Sequence, residues 1–191
     1  MELRTVFLVG FMASGKSSVG AELARRLDWD FVDLDTRIEC RERQTVPEIF
    51  RNRGEHGFRT AETEGLRDLL AEAPQRSRVV ALGGGAFIQE NNRELLRDWP
   101  SVFLEAPASE LWQRSLMDGI ERPLRGNPEQ FAKLYAERLP IYREASVTVV
   151  TSGKDLATVC DEIERRLQFW GTETGGVSRP RSGHLGTGES Q

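Results

Sequence analysis

A β-rich apolar run, Thr5–Val9 (TVFLV), leads directly into GFMASGKS, Gly10–Ser17, which fits G-x-x-x-x-G-K-[ST] at every fixed position. SVGAELARRL follows, with Val19, Leu23 and Leu27 at helical spacing. Strand, glycine loop and helix in that order are the setting a phosphate-binding loop requires. Glycine lets the backbone curl until its N–H groups face one concavity, and the helix adds roughly half a positive charge at its amino end. Such a cradle predicts a nucleoside triphosphate held by Ala13, Ser14, Gly15, Lys16, Ser17 and Ser18. Lys16 would reach the β- and γ-phosphates, and the Ser17 hydroxyl would take one position on Mg²⁺. The alternative is an ordinary glycine-containing turn ahead of a core helix, which the matching flanks disfavour.

A chain of 191 residues suits one domain, large enough to bury roughly 70% of its unfolded surface. The net charge of −4 argues against a general nucleic-acid binder, whose basic face would show in the total. Cys40 and Cys160 are isolated, with no C-x-x-C, so neither a disulfide framework nor a zinc knuckle is expected; both read as small, semi-buried side chains. No apolar run approaches the ~18 residues of a membrane span. MELRTVFLVG enters the first strand at once and leaves no room for a signal peptide, so a cytoplasmic location is expected.

Strand-like runs recur at Thr5–Val9, Phe31–Asp33, Arg78–Leu82, Val102–Leu104 and Ser146–Val150. Most are continuous rather than alternating in hydrophobicity, as expected when helices cover both faces of a sheet. Helical segments between them predict a three-layer α/β/α fold around a five-stranded parallel sheet. Ligands in such sheets sit beyond the carboxyl ends of the strands. Those ends carry the phosphate loop, then Asp33-Leu34-Asp35, then Gly83-Gly84-Gly85. After the fourth run EAPASELWQRSL reads as a helix, and after the fifth TSGKD precedes a helix through Leu156, Val159, Ile163 and Leu167.

Two segments interrupt the alternation. Pro47–Glu72 is helical, broken near its middle by Gly54, and is expected to form a platform for a second substrate within a region of about residues 36–72. Met117–Pro128 (MDGIERPLRGNP) is short, polar and rich in Gly and Pro, which suits an active-site lid. Gly171–Gln191 has a single large aliphatic residue, Leu185, and is expected to be a disordered tail beyond a domain spanning 1–170. Trp29, Trp99, Trp112 and Trp170 read as packing or boundary residues, and His56 and His184 are too isolated to form a metal pair.

With these pieces in view, the chain resembles the shikimate kinases, P-loop small-molecule kinases of the nucleoside-monophosphate-kinase-like group. The matching pieces are GFMASGKSSVG, FVDLDTRIE, IFRNRGEHGFRTAE, ALGGGAF, ERPLRG and ERLPIYRE, which together span roughly residues 5–150. The phosphate loop alone identifies only the superfamily; the D-x-D, the G-E-x-x-F-R-x-x-E helix and the triple glycine are far more selective. The resemblance implies a P-loop kinase fold and transfer of the γ-phosphoryl group of ATP to the 3-hydroxyl of shikimate, a step of chorismate and aromatic amino acid biosynthesis. It also implies a requirement for Mg²⁺ and a monomeric state.

Chemistry supports each assignment in turn. Asp33 is close enough to the phosphate loop to hold Mg²⁺ through water, and Asp35 could orient or deprotonate an acceptor hydroxyl. A helix N-cap for TRIEC suits Asp35 as well. Arg59 has Glu62 three residues on, a pair that can fix the guanidinium for bidentate contact with a carboxylate or be a plain surface ion pair. With the resemblance, Arg59 and Arg138 correspond to ligands of the shikimate carboxylate. Gly83, Gly84 and Gly85 permit close approach and an N–H donor to the substrate. Arg122, in ERPLRG, corresponds to the lid arginine that offsets charge on the transferring phosphoryl group, while Arg125 stands where an aliphatic residue is usual. Arg114 is a candidate to lie against the adenine, and Lys154, beside Asp155, stands where the family often has a basic residue flanking it. Two rival readings are a kinase for another small hydroxylated acid such as gluconate, and a non-catalytic nucleotide-binding module. No N-K-x-D guanine motif is present.

Overall fold

A computed structural model of the chain describes residues 4–117 and 124–173, with side chains described through Leu167 in the last helix. Five parallel strands, β1 (Thr5–Val9), β2 (Asp30–Asp33), β3 (Arg78–Ala81), β4 (Ser101–Glu105) and β5 (Val147–Val150), form one sheet in the order β2-β3-β1-β4-β5. Helices α1 (Lys16–Leu27), α2 (Leu34–Glu42), α3 (Val46–Ala71), α4 (Glu90–Leu96), α5 (Ala108–Met117), α6 (Pro128–Tyr142) and α7 (Leu156–Glu173) connect and flank it. The three-layer α/β/α expectation is met.

Side-chain alternation along β1 explains the layers. Val6 and Leu8 point to one face with Val19 and Leu23 of α1 and Val159 and Ile163 of α7. Phe7 and Val9 point to the other, among Leu34 and Ile38 of α2, Leu66 and Leu69 of α3, and Phe131 and Tyr142 of α6. Both faces being covered, every residue of β1 and β3 is buried, which is why, after Thr5 and Arg78 at their starts, those strands read as continuous apolar runs. Trp99 lies edge-on to Phe7 and Trp112 edge-on to Phe131, while Trp29 packs against the α1/α7 layer. These three are packing residues, as expected. Cys160 is buried, but Cys40 is exposed on α2 and departs from the semi-buried expectation, because it faces away from the α2–α3 contact made by Ile38.

Strand limits differ from the sequence reading by one residue. β2 starts at Asp30, β3 ends at Ala81, and β4 gains Ser101 and Glu105. Ser146 falls outside β5 because Ser101 and Ser146 exchange bonds through side chains, Ser146 N donating to Ser101 Oγ at 3.0 Å and Ser101 N to Ser146 Oγ at 3.3 Å. Helix α3 kinks at Gly54, whose φ of 68° is open to glycine at no steric cost. Its start is fixed by a capping box, Thr45 Oγ1 accepting from Glu48 N and Glu48 Oε2 accepting from Thr45 N. The short α4 and the 3-10 turn Ala86–Ile88 before it were not foreseen. Helix α7 continues to Glu173, past the expected start of the tail at Gly171; residues 174–191, and the half of the expected lid from 118 to 123 that includes Arg122, lie outside the described residues.

Candidate active site

The phosphate loop leaves the central strand β1, at the point where chain connections part to the two sides of the sheet. Ala13 and Gly15 both have positive φ, 60° and 91°, which curls the loop into a concavity. No side chain caps α1 at Gly15, and its first turn holds no acidic residue. Its leading N–H groups and the helix dipole are therefore available to an anion. Lys16 Nζ donates to Gly10 O and Phe11 O at 2.9 Å, so its ammonium lies folded over the loop.

Asp33 ends β2 and begins α2. Its Oδ1 accepts from Asp35 N at 3.0 Å and Thr36 N at 3.4 Å, which makes Asp33 the helix N-cap. The alternative that gave this role to Asp35 is thereby corrected: the chain turns helical at Leu34, one residue too early for Asp35 to cap. The second oxygen, Asp33 Oδ2, accepts from Ser17 Oγ at 2.8 Å. Two hard oxygen donors side by side beside a phosphate cradle suit Mg²⁺, which characteristically takes one or two protein oxygens and completes its shell from water and phosphate. Among the described residues no group of three or more His, Cys, Asp or Glu could hold a metal by itself.

Asp35, freed from capping, turns into a cleft of about 620 Å³ that also takes in Ser17, Arg59, Glu62, Gly83–Gly85 and Arg138. Asp35 Oδ1 and Glu62 Oε1 are buried with no hydrogen-bond partner among the described residues. A Cβ on Gly83 would stand 2.6 Å from each, so the two oxygens lie within twice that distance of one another. Burial pushes the Asp35 carboxyl up to about 6, with the Asp33 charge adding to the rise and Lys16 opposing it. Burial likewise pushes Glu62 up to about 7 against the pull of Arg59.

Arg59 is fixed on α3 by Glu62 Oε2 at 2.7 Å and Glu55 Oε1 at 3.1 Å, with its guanidinium 5.3 Å from the Phe58 ring centroid. Glu62 is fully buried, so the plain surface ion pair is ruled out as a description of this pair. Gln89 Nε2 donates to the same Glu62 oxygen at 2.9 Å. Arg138, on α6, donates to Gly84 O at 3.3 Å and lies 5.8 Å from the Phe11 ring centroid. One turn on, the buried Tyr142 hydroxyl also donates to Gly84 O; burial pushes it up to about 12 and keeps it a donor. The N–H groups of Gly83, Gly84 and Gly85 donate to no protein acceptor among the described residues. A side chain at Gly85 would run into the Arg59 guanidinium.

The structure thus brings Ser17, Asp33, Asp35, Arg59, the three glycines and Arg138 to one cleft beside Lys16. Arg114 and Lys154 do not line it: Arg114 pairs with Glu110 within α5, and Lys154 Nζ meets Glu162 Oε2 of α7 at 2.6 Å. Arg125 donates to Ser115 O, in the last turn of α5, at 2.9 Å. Sequence reasoning missed Tyr142 and Gln89 and treated Glu62 only as a partner of Arg59. Tyr142 was detectable as the residue four on from Arg138 on one helix face.

A family model described as shikimate kinase matches residues 12–168. The chain is 40% identical over 168 residues to a shikimate kinase of Rhodopseudomonas palustris, covering 86% of this chain and 81% of that one. It is 41% identical over 166 residues to one of Thermus thermophilus, covering 85% and 89%. Among solved structures, a shikimate kinase from Acinetobacter baumannii in complex with shikimate superposes with a TM-score of 0.80 at 36% identity, covering 91% of this chain and 96% of that one. A gluconokinase from Sinorhizobium meliloti, at 19% identity and a TM-score of 0.55, shares the fold alone.

Proposed function

The chain belongs to the shikimate kinase family, and from that premise we propose a role for each group in the cleft. The activity is ATP-dependent phosphorylation of shikimate at its 3-hydroxyl, giving shikimate 3-phosphate and ADP. The triphosphate lies along the loop Ala13–Ser18, and Lys16 exchanges its two carbonyl acceptors for phosphate oxygens. Ser17 and, through water, Asp33 would hold Mg²⁺, which would supply charge compensation for the phosphates. The Asp35 carboxylate accepts a hydrogen bond from the acceptor hydroxyl, turns its oxygen toward the γ-phosphorus, and takes its proton as the new P–O bond forms and the γ-phosphorus parts from the bridging oxygen that leaves with ADP.

Arg59 and Arg138 bind the shikimate carboxylate, and the open N–H groups of Gly83–Gly85 supply further donors. Glu62, Glu55 and Gly84 O hold the two guanidinium groups before substrate arrives, so little ordering is left for binding. Arg122 is assigned to the lid, closing over the phosphates; Arg114 and Lys154 are assigned to the adenine side. Positioning and charge compensation carry the catalysis.

The observation that carries the reading is the bare, buried Oδ1 of Asp35 in one cleft with Ser17 of the phosphate loop and the two arginines. ADP release from Mg-ATP, measured with no acceptor, with shikimate and with gluconate, tests it. Turnover is expected with shikimate and only background with the others. Equal turnover with gluconate, or release independent of acceptor, would overturn the assignment.

A further inference from the structure

We propose that Arg93, which lies outside the cleft, is a positioning residue for the acceptor: it splints the Gly83–Ile88 turn to the helix that carries Arg138. The turn Gly83–Ile88 has no neighbouring strand to hold it, yet each of its carbonyls is bonded. Gly83 O accepts from Ala86 N and Gly85 O from Ile88 N, both at 3.1 Å. Gly84 O accepts from Arg138 and Tyr142 of α6. Ala86 O accepts from the buried Asn92 Nδ2 at 3.0 Å. The last two carbonyls, Phe87 O and Ile88 O, both accept from Arg93 Nη1, at 3.1 and 2.8 Å. With each carbonyl held, the N–H groups of Gly83, Gly84 and Gly85, which line the cleft and meet no protein acceptor among the described residues, are left for a ligand.

Arg93 does more than close this account. Its Nε meets Glu144 Oε2 at 3.0 Å, and Glu144 stands two residues beyond Tyr142 at the end of α6. The turn is therefore tied to α6 twice, from inside through Gly84 O and from outside through the Arg93–Glu144 pair. These two elements carry the groups assigned to the acceptor, the glycine N–H donors and Arg138, and none assigned to the phosphates. Arg93 does not line the 620 Å³ cleft; it lines a separate cavity of about 330 Å³ with Glu144, Ser101 and Ser146, at the amino ends of β4 and β5. It cannot touch substrate, so it acts through the backbone. A charge-assisted donor serving two carbonyls is among the stronger hydrogen-bonding arrangements available to a guanidinium, and no other donor among the described residues replaces it.

The inference rests on the assignment of the glycine turn and Arg138 to the acceptor, and the test separates the two. For Arg93→Ala the KM for shikimate is expected to rise about tenfold, the effect of roughly one lost charge-assisted hydrogen bond, with the KM for ATP within about twofold of wild type. Arg93→Lys, which keeps a cationic donor, should recover most of that loss. Glu144→Ala, at a largely exposed carboxylate, removes the outer tie without disturbing a core and should raise the same KM about threefold. Arg138→Ala serves as the reference: if it leaves the shikimate KM unchanged, the acceptor assignment itself fails. If it raises that KM while Arg93→Ala leaves it alone or moves both KM values together, only the splint is overturned.

Discussion

Asp33 and Asp35 stand two residues apart and do different work because a helix begins between them. Asp33 spends one oxygen on the amide groups of Asp35 and Thr36 and the other on Ser17. Asp35 spends neither on the backbone, and its Oδ1 is buried without a partner among the described residues. An unsatisfied buried acceptor destabilises a fold, so its presence points to a ligand donor. Burial raises this carboxyl to about 6, near the operating pH of a general base. In the free enzyme kcat/KM for shikimate should therefore fall on the acid side with an inflection near that value, because the protonated form cannot take the hydroxyl proton. Asp35→Asn keeps the shape and removes the base; its kcat should drop by about 10²–10⁴ while ADP affinity holds. A profile flat down to pH ~5, or a variant with near-normal kcat, would remove Asp35 from proton transfer. The D-x-D spacing announced two carboxylates on one side but not which of them caps, since that depends on where α2 starts, a matter of one residue.

The glycine turn after β3 shows what an element of three identical residues can hide. Gly83 makes room for the Asp35 and Glu62 carboxylates, and Gly85 makes room for the Arg59 guanidinium, whereas a Cβ at Gly84 would meet nothing closer than an ordinary contact at 3.4 Å. Gly85→Ala must therefore displace Arg59 from Glu62. It should raise the shikimate KM by about tenfold or more, as expected when one partner of a bidentate carboxylate contact is misplaced, with ATP binding little changed. Gly84→Ala is the milder control, and an equal effect of the two would show that the turn's backbone, not Arg59, sets the KM. The inner strands β1, β3 and β4 were legible because burial on both faces leaves them mostly apolar. The phosphate loop was legible because its backbone needs fixed residue types. Helix α4 was not: its seven residues ENNRELL make about two turns, too few to establish a period, and its role, carrying Asn92 and Arg93 back to the carbonyls of the preceding turn, is a tertiary fact. Likewise, the i,i+3 spacing of Arg59 and Glu62 left both a fixed guanidinium and a plain surface ion pair open, because burial of Glu62 beneath a second layer leaves no trace in local spacing.

At the scale of the whole molecule, the cleft is assembled at a cost to folding. Glu62 is fully buried, close to the Asp35 carboxylate, and burial raises it from an ordinary 4.5 to about 7. A carboxyl whose native pKa lies above its unfolded value makes the native state bind more protons than the unfolded chain between those two pH values. Its stabilising contribution is complete below about pH 4.5 and is lost as pH rises through about 7. Lowered carboxyls elsewhere, such as Glu162 beside Lys154 and Arg166, act in the opposite sense and are lost toward acid, so the absolute stability curve mixes both signs. The difference between wild type and Glu62→Gln isolates the buried group, since the amide keeps the side chain's size without its titration. From pH 5 to pH 8 that difference should move in favour of Glu62→Gln by up to about 3 kcal/mol, or several degrees in thermal midpoint for a domain of this size. The same variant should bind shikimate more weakly, because the amide holds Arg59 less firmly than the carboxylate does. Denaturant titrations of the ligand-free protein at the two pH values measure the first effect. A gap between the two proteins that stays constant with pH would show that Glu62 is ionised at no cost, and that the cleft is not maintained against the stability of the fold.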